Sequence, residues 1–126
     1  MYAASQAGVE IDLVIRGICC LRPGVPGMSD RIRVRSIVGK YLEHSRIFRF
    51  GEGDEVEYLI GSADMMQRNL NSRVEALTPI LDKDLQARLE EILQVSLHDD
   101  LLAWKLDGGG LWSRVAPVDG INTHFR

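Results

Sequence analysis

Only one long stretch of this chain repeats its apolar residues at helical spacing. Leu85, Leu89, Ile92, Leu93 and Leu97 fall on one stripe between Asp82 and Asp99, and Asp82 stands where a side chain caps the first free amides. Most other apolar residues come in short runs cut apart by Gly and Pro, so the core has to be spread over strands. Val9 to Ile15, interrupted only by Glu10 and Asp12, reads as a mostly buried strand of the kind found in parallel sheets covered on both faces. Ala3 to Ala7 before it reads as the tail of a helix that stops at Gly8. Arg22-Pro23-Gly24-Val25-Pro26-Gly27 is a loop. Ser29 or Asp30 is then expected to cap a short helix whose stripe is Ile32, Val34, Ile37, Val38 and Tyr41. The alternation at Arg33 and Arg35 also permits a strand there, but the helix is the favoured reading.

Further along, Arg46 to Phe50 alternates and Val56 to Ile60 returns after the turn Gly51-Glu52-Gly53-Asp54, which makes a hairpin. Arg73 to Ile80 reads as another strand, closed by Pro79. After the helix come strands near Leu101 to Leu106 and Leu111 to Val115, with Gly108-Gly109-Gly110 between them. No helix follows those glycines, so they suit a hairpin turn and not a phosphate loop. The fold class is therefore α/β, with α+β as the alternative, in which helices flank a sheet. Residues 1–115 are expected to form one domain and 116–126 a poorly ordered tail. The opening reads as a helix-to-strand junction with its helix cut off, which leads to the expectation of a piece of a larger protein.

Composition narrows the class. With 126 residues, 45% hydrophobic and 26% charged, the chain is ordinary globular material and not disordered. It has no run of about 18 apolar residues that would span a bilayer. Net charge of −3 hides an asymmetry. Residues 1–49 hold Arg16, Arg22, Arg31, Arg33, Arg35, Lys40, Arg46 and Arg49 against four carboxylates, whereas the remainder is acidic. Such a basic stretch attracts phosphate-rich ligands. Low aromatic content, 6%, speaks against base stacking and so against nucleic acid. Cys19 and Cys20 are adjacent and read as buried packing thiols at the end of the first strand, with no ligand set to make them a metal pair.

Two stretches carry chemistry. In His44-Ser45-Arg46 an imidazole and a guanidinium two residues apart lie on one face of an extended chain, where both can reach phosphate oxygens. In Gly61-Ser62-Ala63-Asp64, followed by Arg68-Asn69, a Gly-Ser pair at a strand end lets backbone and hydroxyl approach a ligand closely. Together they resemble the phospholipase D pattern of His-x-Lys followed by Gly-Ser and Asn. Here Arg46 replaces the Lys, and Gly51 stands where an Asp belongs, which argues against hydrolysis.

Three longer segments are more specific: Ile15-Arg16-Gly17-Ile18-Cys19-Cys20-Leu21-Arg22-Pro23-Gly24, Ile32 through Arg46, and Gly61 through Leu70 with Arg73-Val74-Glu75 following. In this order they resemble bacterial polyphosphate kinases of the phosphohistidine type, over about residues 3–106. The resemblance implies the second of two C-terminal domains of phospholipase D-like fold. It also implies an enzyme that reversibly moves the terminal phosphate of ATP onto polyphosphate with Mg²⁺. It implies that Arg16 and His44 contact the nucleotide phosphates, with His44 as the catalytic residue, while the two stretches above offer Arg46, Ser62 and Arg68 as further phosphate contacts. No metal ligands are expected here, and the phosphorylated histidine belongs to the preceding domain. The implied partners are ATP or ADP, polyphosphate, the upstream domains of the same chain and further copies of the full-length enzyme. Its implied place is the cytoplasm, with membrane association as an option for the full-length enzyme. The rival readings are a non-catalytic polyanion-binding module and a phospholipase D-like phosphodiesterase.

Overall fold

The computed structural model describes residues 1–117. The part of the expected tail from 118 onward lies outside the described residues. The chain divides into two compact units, one formed by Met1–Leu42 with Val95–Arg126, the other by Glu43–Gln94.

In the first unit a four-stranded sheet runs in the order β1-β2-β6-β7, with β1 Ile11–Val14, β2 Ile32–Ile37, β6 Ala103–Leu106 and β7 Trp112–Arg114. The β1–β2 pair is parallel, as the apolar run suggests, and the other pairs are antiparallel. The helix expected over Ile32 to Tyr41 is not formed, because the period there is two. Ile32 and Val34 are buried while Arg33 points out, and β-branched side chains at alternate positions suit the pleat better than a helix. Ser29 and Asp30 close a turn and cap no helix. The Ser29 hydroxyl donates to the Arg22 carbonyl and accepts from the Val25 amide, and the Asp30 carboxylate accepts from the Gly27 amide.

The expectation that β1 is buried on both faces is also corrected. It is an edge strand of alternating half-buried and exposed residues. Asp12 turns outward onto the Arg33 guanidinium at 2.6 Å, and Glu10 takes Arg31 and Arg33. Cys19 and Cys20 lie beyond this strand, half-buried and exposed respectively, so they are not core thiols. The hairpin β6–β7 turns over the three glycines as expected. The Asp107 carboxylate accepts from the Gly109 and Leu111 amides, and Gly110 takes the left-handed backbone that only glycine adopts freely. Helix α1, Tyr2–Gln6, ends before Gly8.

The second unit holds the antiparallel sheet β3-β4-β5, made of Ile47–Phe50, Glu57–Gly61 and Leu77–Pro79. The expected hairpin is present in the register Ile47↔Ile60 to Phe50↔Glu57. A Cβ at Gly51 would stand 2.5 Å from the Glu55 carbonyl oxygen, so the turn requires glycine. The strand expected over Arg73 to Ile80 shortens to β5, whose Pro79 is tolerated at the sheet edge. Helix α2, Gln67–Ser72, has too little apolar periodicity to be read from the sequence. Helix α3, Lys83–His98, forms where expected, and the Asp82 carboxylate accepts from the Asp84 and Leu85 amides. No helix among the described residues is long and apolar enough to cross a membrane.

Candidate functional site

The chemistry of the second unit gathers at the ends of β3 and β4. Gly61 ends β4 against β5 so closely that a Cβ there would lie 2.2 Å from the Ala76 carbonyl oxygen. This contact brings Ser62 beneath Ala76, whose amide donates to the Ser62 hydroxyl at 3.1 Å. The hydroxyl in turn donates to Glu75, and the Asn69 side-chain amide donates to the same carboxylate at 2.8 Å. Donation by Ser62 and then by Asn69 holds the Glu75 carboxyl below its ordinary value. Asn69 is buried, and its side-chain carbonyl oxygen has no partner among the described residues.

Beside this knot the chain before β3 folds His44 onto Arg46, a contact the sequence reading did not anticipate. Arg46 Nη1 lies 2.9 Å from His44 Nδ1 and donates to the His44 carbonyl at 3.2 Å, and Nη2 lies 3.3 Å from His44 Nε2. The other edge of the guanidinium faces Asp64. Nε donates to Oδ1 at 2.9 Å and Nη2 to Oδ2 at 3.4 Å. The Arg46 hydrogen bond, with the positive charge of Arg46 and Arg68 added, holds the Asp64 carboxyl below its ordinary value against the opposing effect of burial. Arg68 on α2 and His44 are exposed.

The five residues expected at the site therefore fall into two groups. Arg46, half-buried, and Ser62, exposed, are engaged by other side chains of the protein. Arg16 and Arg68 make no hydrogen bond or ion pair with another side chain among the described residues, and the exposed His44 is held only by Arg46. Arg16 belongs to the first unit, where it follows β1 and lines a hollow of about 340 Å³ with Gly17, Ser36, Val38, Trp104 and Trp112. Sequence reasoning missed Asp64 and Glu75 as site residues, although both stood inside the segments already singled out. The signal for Asp64 was an acidic side chain two residues after the Gly-Ser strand end, whereas Glu75, 13 residues beyond Ser62, had no local signal. A larger hollow of the second unit, about 580 Å³, contains none of the expected residues. Its Arg49 and Tyr58 both bond Glu90, at 3.0 and 2.5 Å.

The basic stretch also looks different once folded. Arg22 donates to the Gly108 carbonyl, Arg31 and Arg33 to Glu10 and Asp12, Arg35 to the Asp99 carbonyl and Arg49 to Glu90. Lys40 lies 5.5 Å from the centre of the Tyr41 ring. Most of these cations are spent on the fold.

Residues 1–124 match the family model described as polyphosphate kinase C-terminal domain 2. The chain belongs to the polyphosphate kinase family. Among its relatives, a polyphosphate kinase of Thermosynechococcus vestitus is 58% identical over 95% of this chain and 16% of that protein. Polyphosphate kinase 1 of Chlorobaculum tepidum is 54% identical over 91% of this chain and likewise 16% of that protein. The crystal structure of polyphosphate kinase from Porphyromonas gingivalis superposes with a TM-score of 0.89 at 45% identity, covering 95% of this chain and 18% of the other. The chain thus spans about a sixth of the length of the polyphosphate kinases it matches, and its two sheets flanked by helices share the family's mixed α/β fold. No three His, Cys, Asp or Glu side chains among the described residues converge as a group that could hold a metal ion.

Proposed function

We propose that this chain supplies phosphate-contacting side chains to a polyphosphate kinase that reversibly transfers the terminal phosphate of ATP to inorganic polyphosphate. The observation that carries the reading is the His44 imidazole, exposed and held by Arg46 at 2.9 Å, within a segment matched along its length to the kinase family. Phosphoryl transfer asks the protein chiefly for positioning and for neutralising charge on oxygens, which an oriented imidazole and unengaged guanidinium groups provide. His44 donates to a phosphate oxygen and is the candidate proton donor. Arg68 in the second unit and Arg16 in the first supply cations for phosphate, whereas Arg46 and Ser62 serve as the frame. The covalent phosphohistidine step falls to a residue outside this segment, so the 126-residue chain by itself has no turnover. The reaction is placed in the cytoplasm, in full-length chains that associate with their own kind.

The test is His44→Ala in the full-length kinase carrying this segment, assayed for ATP-dependent polyphosphate synthesis with circular dichroism as the folding control. Loss of about 10²–10³ in rate is expected. A folded variant with near-normal rates refutes the site. His44→Gln then separates roles, since recovery of most of the rate means phosphate binding and continued loss means proton donation. The rival phosphodiesterase reading gains nothing from the fold, because Gly51 occupies a position where any side chain collides with the turn.

A further inference from the structure

The His44 cluster contains a carboxylate for which phosphate binding alone has no use. We propose that Asp64 is a positioning residue that sets the orientation and tautomer of His44 through Arg46. The proposal deepens the reading above and rests on His44 being the phosphate-facing group.

A guanidinium has five N–H hydrogens and only donates. In Arg46 every nitrogen is engaged. Nε and Nη2 reach the two Asp64 oxygens, and Nη1 reaches His44 Nδ1 and the His44 carbonyl. Nη2 also stands 3.3 Å from His44 Nε2, a contact that is no hydrogen bond when that nitrogen carries the ring proton. The two-toothed pair with Asp64 fixes the plane of the guanidinium, and that plane decides which ring nitrogen meets a donor. The shorter contact is at Nδ1, 2.9 Å against 3.3 Å at Nε2. Nδ1 is therefore the accepting nitrogen, and the ring proton sits on Nε2. Without the carboxylate, a long side chain with several rotatable bonds has nothing to hold it against the ring. Asp64 is itself anchored. It follows buried Ala63, in the turn that starts at the glycine-dependent contact of β4 with β5. A surface salt bridge needs none of this, and Arg46 is only 19% exposed.

The experiment has a spectroscopic and a kinetic arm. Long-range proton–nitrogen spectra of the ¹⁵N-labelled 126-residue chain report the tautomer of each of its three histidines, and His44→Gln assigns the signal. The expected wild-type pattern is an unprotonated Nδ1 and a protonated Nε2. Asp64→Asn, which keeps size but loses one acceptor oxygen, should move His44 toward the averaged pattern of a free imidazole. Arg46→Lys should do the same, and the double variant should move it no further. In the full-length kinase, Asp64→Asn should lower kcat by roughly 10- to 100-fold with little change in KM for ATP, and Asp64→Glu should recover part of the loss. An Asp64→Asn spectrum with His44 at its wild-type position overturns the proposal, as do additive effects in the double variant. Should Asp64→Asn fail to fold, Asp64→Glu and Arg46→Lys carry the test, and an unmoved His44 signal in both overturns it. If the His44 signal moves while neither Asp64→Asn nor His44→Ala changes the rate, the brace stands and the functional reading falls.

Discussion

Two places in this protein set arginines against carboxylates, and they do different work. On the edge of the four-stranded sheet, Arg31 and Arg33 lie across Glu10 and Asp12 with side chains 38–59% exposed. Before the three-stranded sheet, Arg46 meets Asp64 with the guanidinium side chain 19% exposed, although Asp64, at 38%, is as open as Asp12. In both places the guanidinium hydrogen bond holds a carboxyl below its ordinary value. The difference lies in what surrounds the pair. The first is open to water and salt and contributes little, while charging an edge strand against pairing with another chain. The second is clasped to an imidazole on its far side and to a turn that depends on glycine. Charge pairing becomes a site only where the surroundings give the pair a third group to orient.

The largest effect that would break this contrast is Gly61→Ala. The added Cβ meets the Ala76 carbonyl oxygen, so β4 and β5 must separate and the turn bearing Ser62 and Asp64 must shift. A loss of about 3 kcal/mol in urea unfolding is expected, and a wild-type midpoint would mean the close approach is absent. Next comes Arg46→Ala, which leaves Asp64 and a His44 ring nitrogen without their donor, for about 1–2 kcal/mol. Arg33→Ala, though it removes two ion pairs, should cost no more than about 1 kcal/mol and less in high salt. If Arg33→Ala proved costlier than Arg46→Ala, the edge would be the structural pair and the contrast would be reversed.

Acid sharpens the same comparison. A carboxyl held below its ordinary value of 3.8 in the fold contributes its full stabilisation above that value and loses it as pH falls through the lower folded value. The stability gap between wild type and Asp64→Asn should therefore be constant near neutrality and close below about pH 3.8. A gap that widens on acidification would contradict the Arg46–Asp64 bond. The smallest expected effect is at Cys20, exposed and away from either pair, where Cys20→Ser should stay within about 0.5 kcal/mol. A larger loss would mean the thiol packs after all.

Much of the frame was legible before any coordinates. The capped helix α3, the β3–β4 hairpin and the glycine turn between β6 and β7 each rest on local chemistry: a carboxylate at a helix start, alternation around a turn, an Asx side chain ahead of glycines. That His44 and Arg46 share a face was legible for the same reason, since they stand two positions apart, but that Arg46 bonds His44 was not. The miss at Ile32 to Ile37 shows the limit. Its apolar residues fit a loose helical stripe and a strand about equally well, and the decision came from pairing with β1 and β6 on either side, which fixes an extended backbone in which Ile32 and Val34 are buried and Arg33 meets Asp12. Cys19 and Cys20 were misplaced because an apolar run does not show where a strand ends.

By itself the sequence determined the family, the long helix and the two hairpins. All of these are properties of residues near one another or of segments matched whole. The tertiary structure alone decided which cations remain unengaged. Arg22 bonds a carbonyl 86 residues away, and Arg46 bonds a carboxylate 18 residues away. Whether a guanidinium is spent on the fold or left for a ligand depends on acceptors brought close only by sheet pairing and turns. Charge counted along the chain carries no record of that.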